Sequence, residues 1–112
     1  MSLPYFKIHP PDYLNDYAYQ RLTNEEFGVL MRLYMLMWQS NMMLHDDDIN
    51  IAWQLRLDPQ AWAKIKAKMI DFGILLNEHG SLINSAMKTK YLGAERYSHQ
   101  QAEKRKKRKK ST

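Results

Sequence analysis

No cysteine occurs in these 112 residues. Disulfides and cysteine-ligated metals are therefore excluded, and the composition fits an intracellular protein. Glycine is scarce: Gly28, Gly73, Gly80 and Gly93 stand too far apart to build a phosphate-cradling loop. No serine sits in a G-x-S-x-G elbow. His9, His45, His79 and His99 fall at no metal-ligand spacing. Asp46, Asp48 and Asn50 imitate the opening of a calcium loop, but Ile51 and Leu57 stand where that loop needs glycine and glutamate. These absences leave no catalytic residue and no metal ligand to nominate. No cofactor is implied, and an enzyme is not expected. The longest apolar stretch, Phe27 to Trp38, is too short for a bilayer and contains Arg32. The first residues lack the charged-then-apolar pattern of a secretory signal. The expectation is a cytoplasmic protein without membrane contact.

What is present is a sharp segregation of charge. Lys104, Arg105, Lys106, Lys107, Arg108, Lys109 and Lys110 hold seven of the 17 basic residues. The remaining ten face 12 acidic residues, so the chain without that run carries a formal charge of −2 against +5 for the whole. The basic character belongs to a tail. Such a run attracts phosphate backbones without reading sequence, serves as a nuclear address, or adds solubility. Nucleic-acid contact is the reading taken here. The whole chain is 45 % apolar and suits one domain with one core. Eight methionines suggest an adaptable interior or contact surface.

Local signals divide the chain. Pro4, Pro10 and Pro11 argue against a regular helix at the start. Tyr5 to Ile8 suit a short edge strand, and Asp12 to Tyr19 a brief helical turn. Thr23 and Glu26 form a capping box, and a helix is expected from Asn24 to about Asn41. It is apolar nearly all round, which requires cover on every side. A homodimer through that helix is one way to supply it. Asp47 or Asp48 caps a short helix from Ile49 to Leu55, expected to turn Ile49, Ala52 and Trp53 inward. Asp58 and Pro59 start a third helix, and Gly73 ends it. Ile74–Leu76 and Ser81–Ile83 read as a hairpin around a four-residue turn. From Ser85 the chain is helix-compatible to about Gln101, with Gly93 a weak point, and is expected to fray into the basic run.

The expected class is mainly α with a small β-hairpin, winged helix-turn-helix-like. Residues 1–92 form the domain with its N-terminal arm, and residues 93–112 the extension. In this order the helix Pro59–Asp71 is the candidate reader. Trp62, Ile65, Met69 and Phe72 make its core stripe. Gln60, Ala63, Lys64, Ala67 and Asp71 face outward, with Lys66 and Lys68 at the edges. Gln60 suits adenine, and Lys64 suits guanine or phosphate. The same face is equally what any solvated amphipathic helix presents. The three aspartates 46–48 stand where a bound backbone would pass, and they oppose docking. Tyr13, Tyr17, Tyr19, Tyr91 and Tyr97 are candidates for base stacking or for packing.

Tyr5-Phe6-Lys7, Pro11-Asp12-Tyr13-Leu14 and Asp16 open a series of blocks that resembles a known family. Leu22 to Gly28, then Arg32-Leu33-Tyr34 and Trp38, continue it. Leu44, Asp46 to Asp48, Leu55, Leu57, Trp62 and Gly80 to Asn84 complete it. Over about residues 5–90 the chain resembles the YdaU-like domain of phage and prophage proteins. The resemblance implies a winged-helix-like module in phage replication initiation. Two functions are carried forward. The first is a DNA-binding accessory of phage-type replication, using Gln60, Lys64, Lys66 and Lys68, the wing, and Lys104 to Lys110 on the phosphate backbone. The second is a protein-interaction or dimerisation module among replication proteins, with DNA touched only by the tail.

Overall fold

A computed structural model describes residues 7–110, and side chains through residue 107. Its elements run α1 (Pro10–Leu14), α2 (Tyr17–Gln20), α3 (Asn24–Gln39), α4 (Asp48–Leu55), α5 (Pro59–Asp71), β1 (Leu76–Glu78), β2 (Ser81–Ile83) and α6 (Ser85–Lys110). The chain is mainly helical with one small antiparallel sheet. No described helix is long and apolar enough to cross a membrane.

Caps set the helix starts. Thr23 Oγ1 accepts from the Glu26 amide at 3.1 Å, and Glu26 Oε1 accepts from the Thr23 amide at 2.8 Å. Asp47 and Asp58 cap α4 and α5 through their side chains. Gly73, at φ 75, ends α5 in the left-handed form. The Ile74 amide then returns to Met69 and the Gly73 amide to Ile70, which closes a Schellman motif. Pro10 and Pro11 do not exclude a helix; they begin α1, where the first turn needs no amide donors. Of the expected edge strand, Tyr5 and Phe6 lie outside the described residues, and Lys7 and Ile8 are irregular.

α3 is the central post. Leu30, Leu33, Tyr34, Met37 and Trp38 are buried, and they meet Ile51, Ala52 and Leu55 of α4, Trp62 and Met69 of α5, and Met87 and Tyr91 of α6 in one core. Of its large apolar side chains only Met35 is exposed. The cover that α3 requires comes almost entirely from within the chain. The short α4 is turned otherwise than its sequence suggests. Ile51, Ala52 and Leu55 face inward, while Ile49 and Trp53 lie in solvent. Both faces of this eight-residue helix carry apolar residues, so periodicity alone did not set its phase.

The hairpin also differs from its expected form. Its register is Leu76 to Ile83, Asn77 to Leu82 and Glu78 to Ser81, leaving a two-residue loop. His79 at φ 53 and Gly80 at φ 84 are both left-handed, as a type I′ turn requires. Ile74 and Leu75 instead seal the core. A third strand segment joins the hairpin on its other side. His45 bridges Ser81, the Leu82 amide donates to Leu44, and the Asp46 amide donates to Gly80. The loop between α3 and α4 thus docks on β2.

α6 does not fray after Gln101; it runs unbroken to Lys110. Lysine and arginine are good helix formers, and cations suit a helix C-terminus. Its first turns are anchored. Asn84 Oδ1 accepts from the Met87 amide at 2.9 Å, and Asn84 Nδ2 donates to the Ile74 carbonyl at 2.8 Å. Tyr91 donates to Asn41 at 2.7 Å and meets Trp38 edge-on.

Two outcomes follow. Asn84→Ala orphans a buried carbonyl and removes a cap; it is expected to cost about 1–3 kcal/mol, read as a lower urea midpoint with an unchanged slope. A Cβ on Gly93 meets nothing within 4 Å. Gly93→Ala is therefore expected to stabilise α6 by roughly 0.5–1 kcal/mol, read by thermal melting of helical circular dichroism.

Candidate nucleic-acid interface

α5 presents its outward face as its spacing requires. Gln60, Ala63, Lys64, Ala67 and Asp71 are exposed, while Trp62 and Met69 are fully buried. That face carries one lysine and one aspartate. The two edge lysines are engaged elsewhere.

Lys66 Nζ lies 2.7 Å from Asp46 Oδ1 and 2.7 Å from Asp48 Oδ1. Its side chain is 15 % exposed and that of Asp46 12 %. Asp48 Oδ1 also accepts from the indole of the buried Trp62 at 3.1 Å, and Asp46 Oδ2 accepts from Asn77 at 2.8 Å. The cluster therefore fastens the start of α4, the middle of α5 and β1 together. Burial disfavours both charges. For Lys66 the two carboxylates outweigh that and raise its pKa; for Asp46 the ammonium and the Asn77 amide outweigh it and lower its pKa. The aspartates are not a bare acidic wall: two of them hold this ammonium, and Asp47 caps α4.

Lys68 reaches Glu26 of α3 at 2.6 Å. Lys88 pairs with Glu78, tying α6 to β1, and Lys90 meets Asp12 of α1 at 2.9 Å. Each of these lysines joins two elements. Among the described residues no ion pair takes Lys64. The hairpin loop supplies no lysine or arginine, since its residues are His79 and Gly80.

The strongest positive density lies apart. Lys104, Arg105, Lys106 and Lys107 are all exposed on α6, well past its last buried residue, Tyr91. The helix continues through residues 108–110. Gln60 and Lys64 thus share one surface, Lys66 and Lys68 are held inside ion pairs, and the basic run stands on another element. Sequence reasoning placed all four edge and face residues on α5 but had no signal for partners 18 to 42 positions away.

The aromatic candidates divide similarly. Tyr13 and Tyr19 pack with Tyr34, and the Tyr19 and Tyr34 hydroxyls share a 2.6 Å hydrogen bond. Burial raises the pKa of both phenols of that pair. Tyr91 is buried, whereas Tyr17 and Tyr97 are exposed. A cleft of about 650 Å³ separates the N-terminal arm from the base of α6, lined in part by Asp12, Tyr13, Tyr19, Asn84 and Lys90. No histidine lines it. Among the described residues no group of three His, Asp or Glu side chains is placed to hold a metal ion.

Lys66→Met is expected to lower stability by roughly 1–3 kcal/mol at neutral pH, because two carboxylates lose the ammonium that lies between them. The depressed Asp46 contributes stability above its ordinary value of 3.8 and loses it as pH falls through the lower folded value. The gap between parent and variant urea midpoints should therefore shrink on acidification below about pH 4.

No curated protein and no solved structure matches the chain. A family model does match, over residues 4–90, and it spans every element from α1 to the first turns of α6. The chain belongs to the protein family of unknown function DUF1376.

Proposed function

We propose that this chain is a cytoplasmic nucleic-acid-binding accessory module in which the basic end of α6 grips the phosphate backbone and the body holds a protein partner. The observation that carries this reading is the division of cations. Four lysines of the body are spent on internal ion pairs, whereas Lys104 to Lys107 project from a helix beyond the core with no ion-pair partner among the described residues. A docking face for duplex needs a positive field, and the outward face of α5 balances Lys64 against Asp71. The element order α3, strand segment, α4, α5, β1, β2 supports a winged-helix reading of the body. The resemblance to YdaU-like domains supports a place in phage-type replication initiation, with replication proteins as the partners.

A second reading has its own support. Gln60, Ala63, Lys64 and Ala67 are exposed on one smooth face, which suits entry of α5 into a major groove.

A salt-dependent titration of duplex DNA separates the two. Truncation after Glu103 is expected to abolish most binding and to flatten the slope of log affinity against log salt by up to roughly six units. Lys64→Glu is expected to change affinity by less than about threefold, the range of a rim charge. Equal binding by the intact and truncated chains would refute the tail reading; a large loss in Lys64→Glu would favour α5 as the reader.

A further inference from the structure

We infer that the outward stripe of α4 is a self-association face, on which a second copy of this chain packs its own α4 antiparallel. The inference is independent of any nucleic-acid role.

Ile49 and Trp53 are the two most exposed large apolar side chains among the described residues, at 74 % and 79 %. They are four positions apart on one helix and so form one ridge. The other two tryptophans, Trp38 and Trp62, are buried. A solvent-facing indole beside an isoleucine is the residue chemistry that dominates protein interfaces.

Charge decides the occupant. At the N-terminal end of the ridge stands Asp47, exposed, with only Oδ1 used in capping Ile49 and Asn50. At the other end, as the C-cap of α4, stands Arg56, exposed. Among the described residues no ion pair takes Arg56. It is held at φ 59, where glycine would be the less strained choice. The ridge is therefore flanked by an acid at its N-terminal end and a base at its C-terminal end. That pattern is complementary to itself reversed. A two-fold axis crossing α4 near the level of Ile51 sets each Ile49 on the opposite Trp53 and each Arg56 beside the opposite Asp47. Isologous pairing of this kind is how most homodimers are built. Arg56 also lines a groove of about 400 Å³ with Arg32 and Met35, and Met35 is the one exposed large apolar side chain of α3. Dimerisation expected through α3 is thereby moved to α4.

The test is sedimentation of the intact chain from low micromolar to several hundred micromolar, alongside Trp53→Ala, Arg56→Gln and Asp47→Asn. Asparagine retains the helix cap while removing the charge. The intact chain is expected to pass from monomer to dimer. The red-edge tryptophan emission, which comes from Trp53, should shift to the blue in step. Trp53→Ala is expected to weaken association at least about tenfold, and each charge variant a few-fold, with melting curves showing the folds intact. A chain that stays monomeric throughout overturns the inference. So does a dimer whose constant is unchanged in both Trp53→Ala and Arg56→Gln. A monomer whose exposed indole is quenched by a single-stranded oligonucleotide also overturns it, and assigns the ridge to base stacking.

Discussion

The body is held in register by one ammonium ion. Lys66 lies between Asp46 and Asp48, in a place where water reaches it poorly. Two charges in such a setting lose hydration, and only short, well-directed contacts offset that loss. Here the contacts are short, Asn77 fills the second oxygen of Asp46, and Trp62 shares Asp48 Oδ1 with Lys66. The gain is positional more than energetic. The α3–α4 loop must sit on β2 for Asp46 to reach Lys66, and α4 must start where Asp48 meets the indole. Apolar packing alone would allow α4 to rotate, since it has greasy residues on both sides.

The same logic repeats around α3. Lys68 and Lys90 connect elements distant in sequence, Lys88 ties α6 back to β1, and most of these pairs are partly exposed. Surface pairs of this kind are individually weak, of the order of 1 kcal/mol or less. Their consequence lies elsewhere: they neutralise the lysines that a basic recognition face would need. The densest run of cations without ion-pair partners among the described residues is at the end of α6. On the proposed reading, attraction for polyanions and the integrity of the fold fall to different lysines.

Much of this was legible beforehand because it is local. The capping box at Thr23, the Asp58-Pro59 start and the Gly73 stop each depend on residues within a few positions. The outward face of α5 followed from its clear period. What escaped was whatever depends on distant chain. The pairing of Lys66 with Asp46 spans 20 positions, and that of Lys68 with Glu26 spans 42. The strand segment at His45 is a single bridge, too brief to leave an alternating pattern. The orientation of α4 is fixed by its neighbours and not by its own composition. In the sequence the cluster Asp46–Asp48 looks repulsive because its counter-ion lies on another helix.

The unbroken course of α6 has a mechanical corollary. Tyr91 cements its base against Trp38 and Asn41, and the last helical residue stands roughly 30 Å further along at 1.5 Å per residue. A floppy tether of that length would sample a broad cloud of positions. A stiff outrigger instead sweeps a narrow arc, and it transmits torque back to the globule. On the proposed reading, a polyanion held there would acquire a preferred azimuth relative to α3, and tumbling of the two would become correlated.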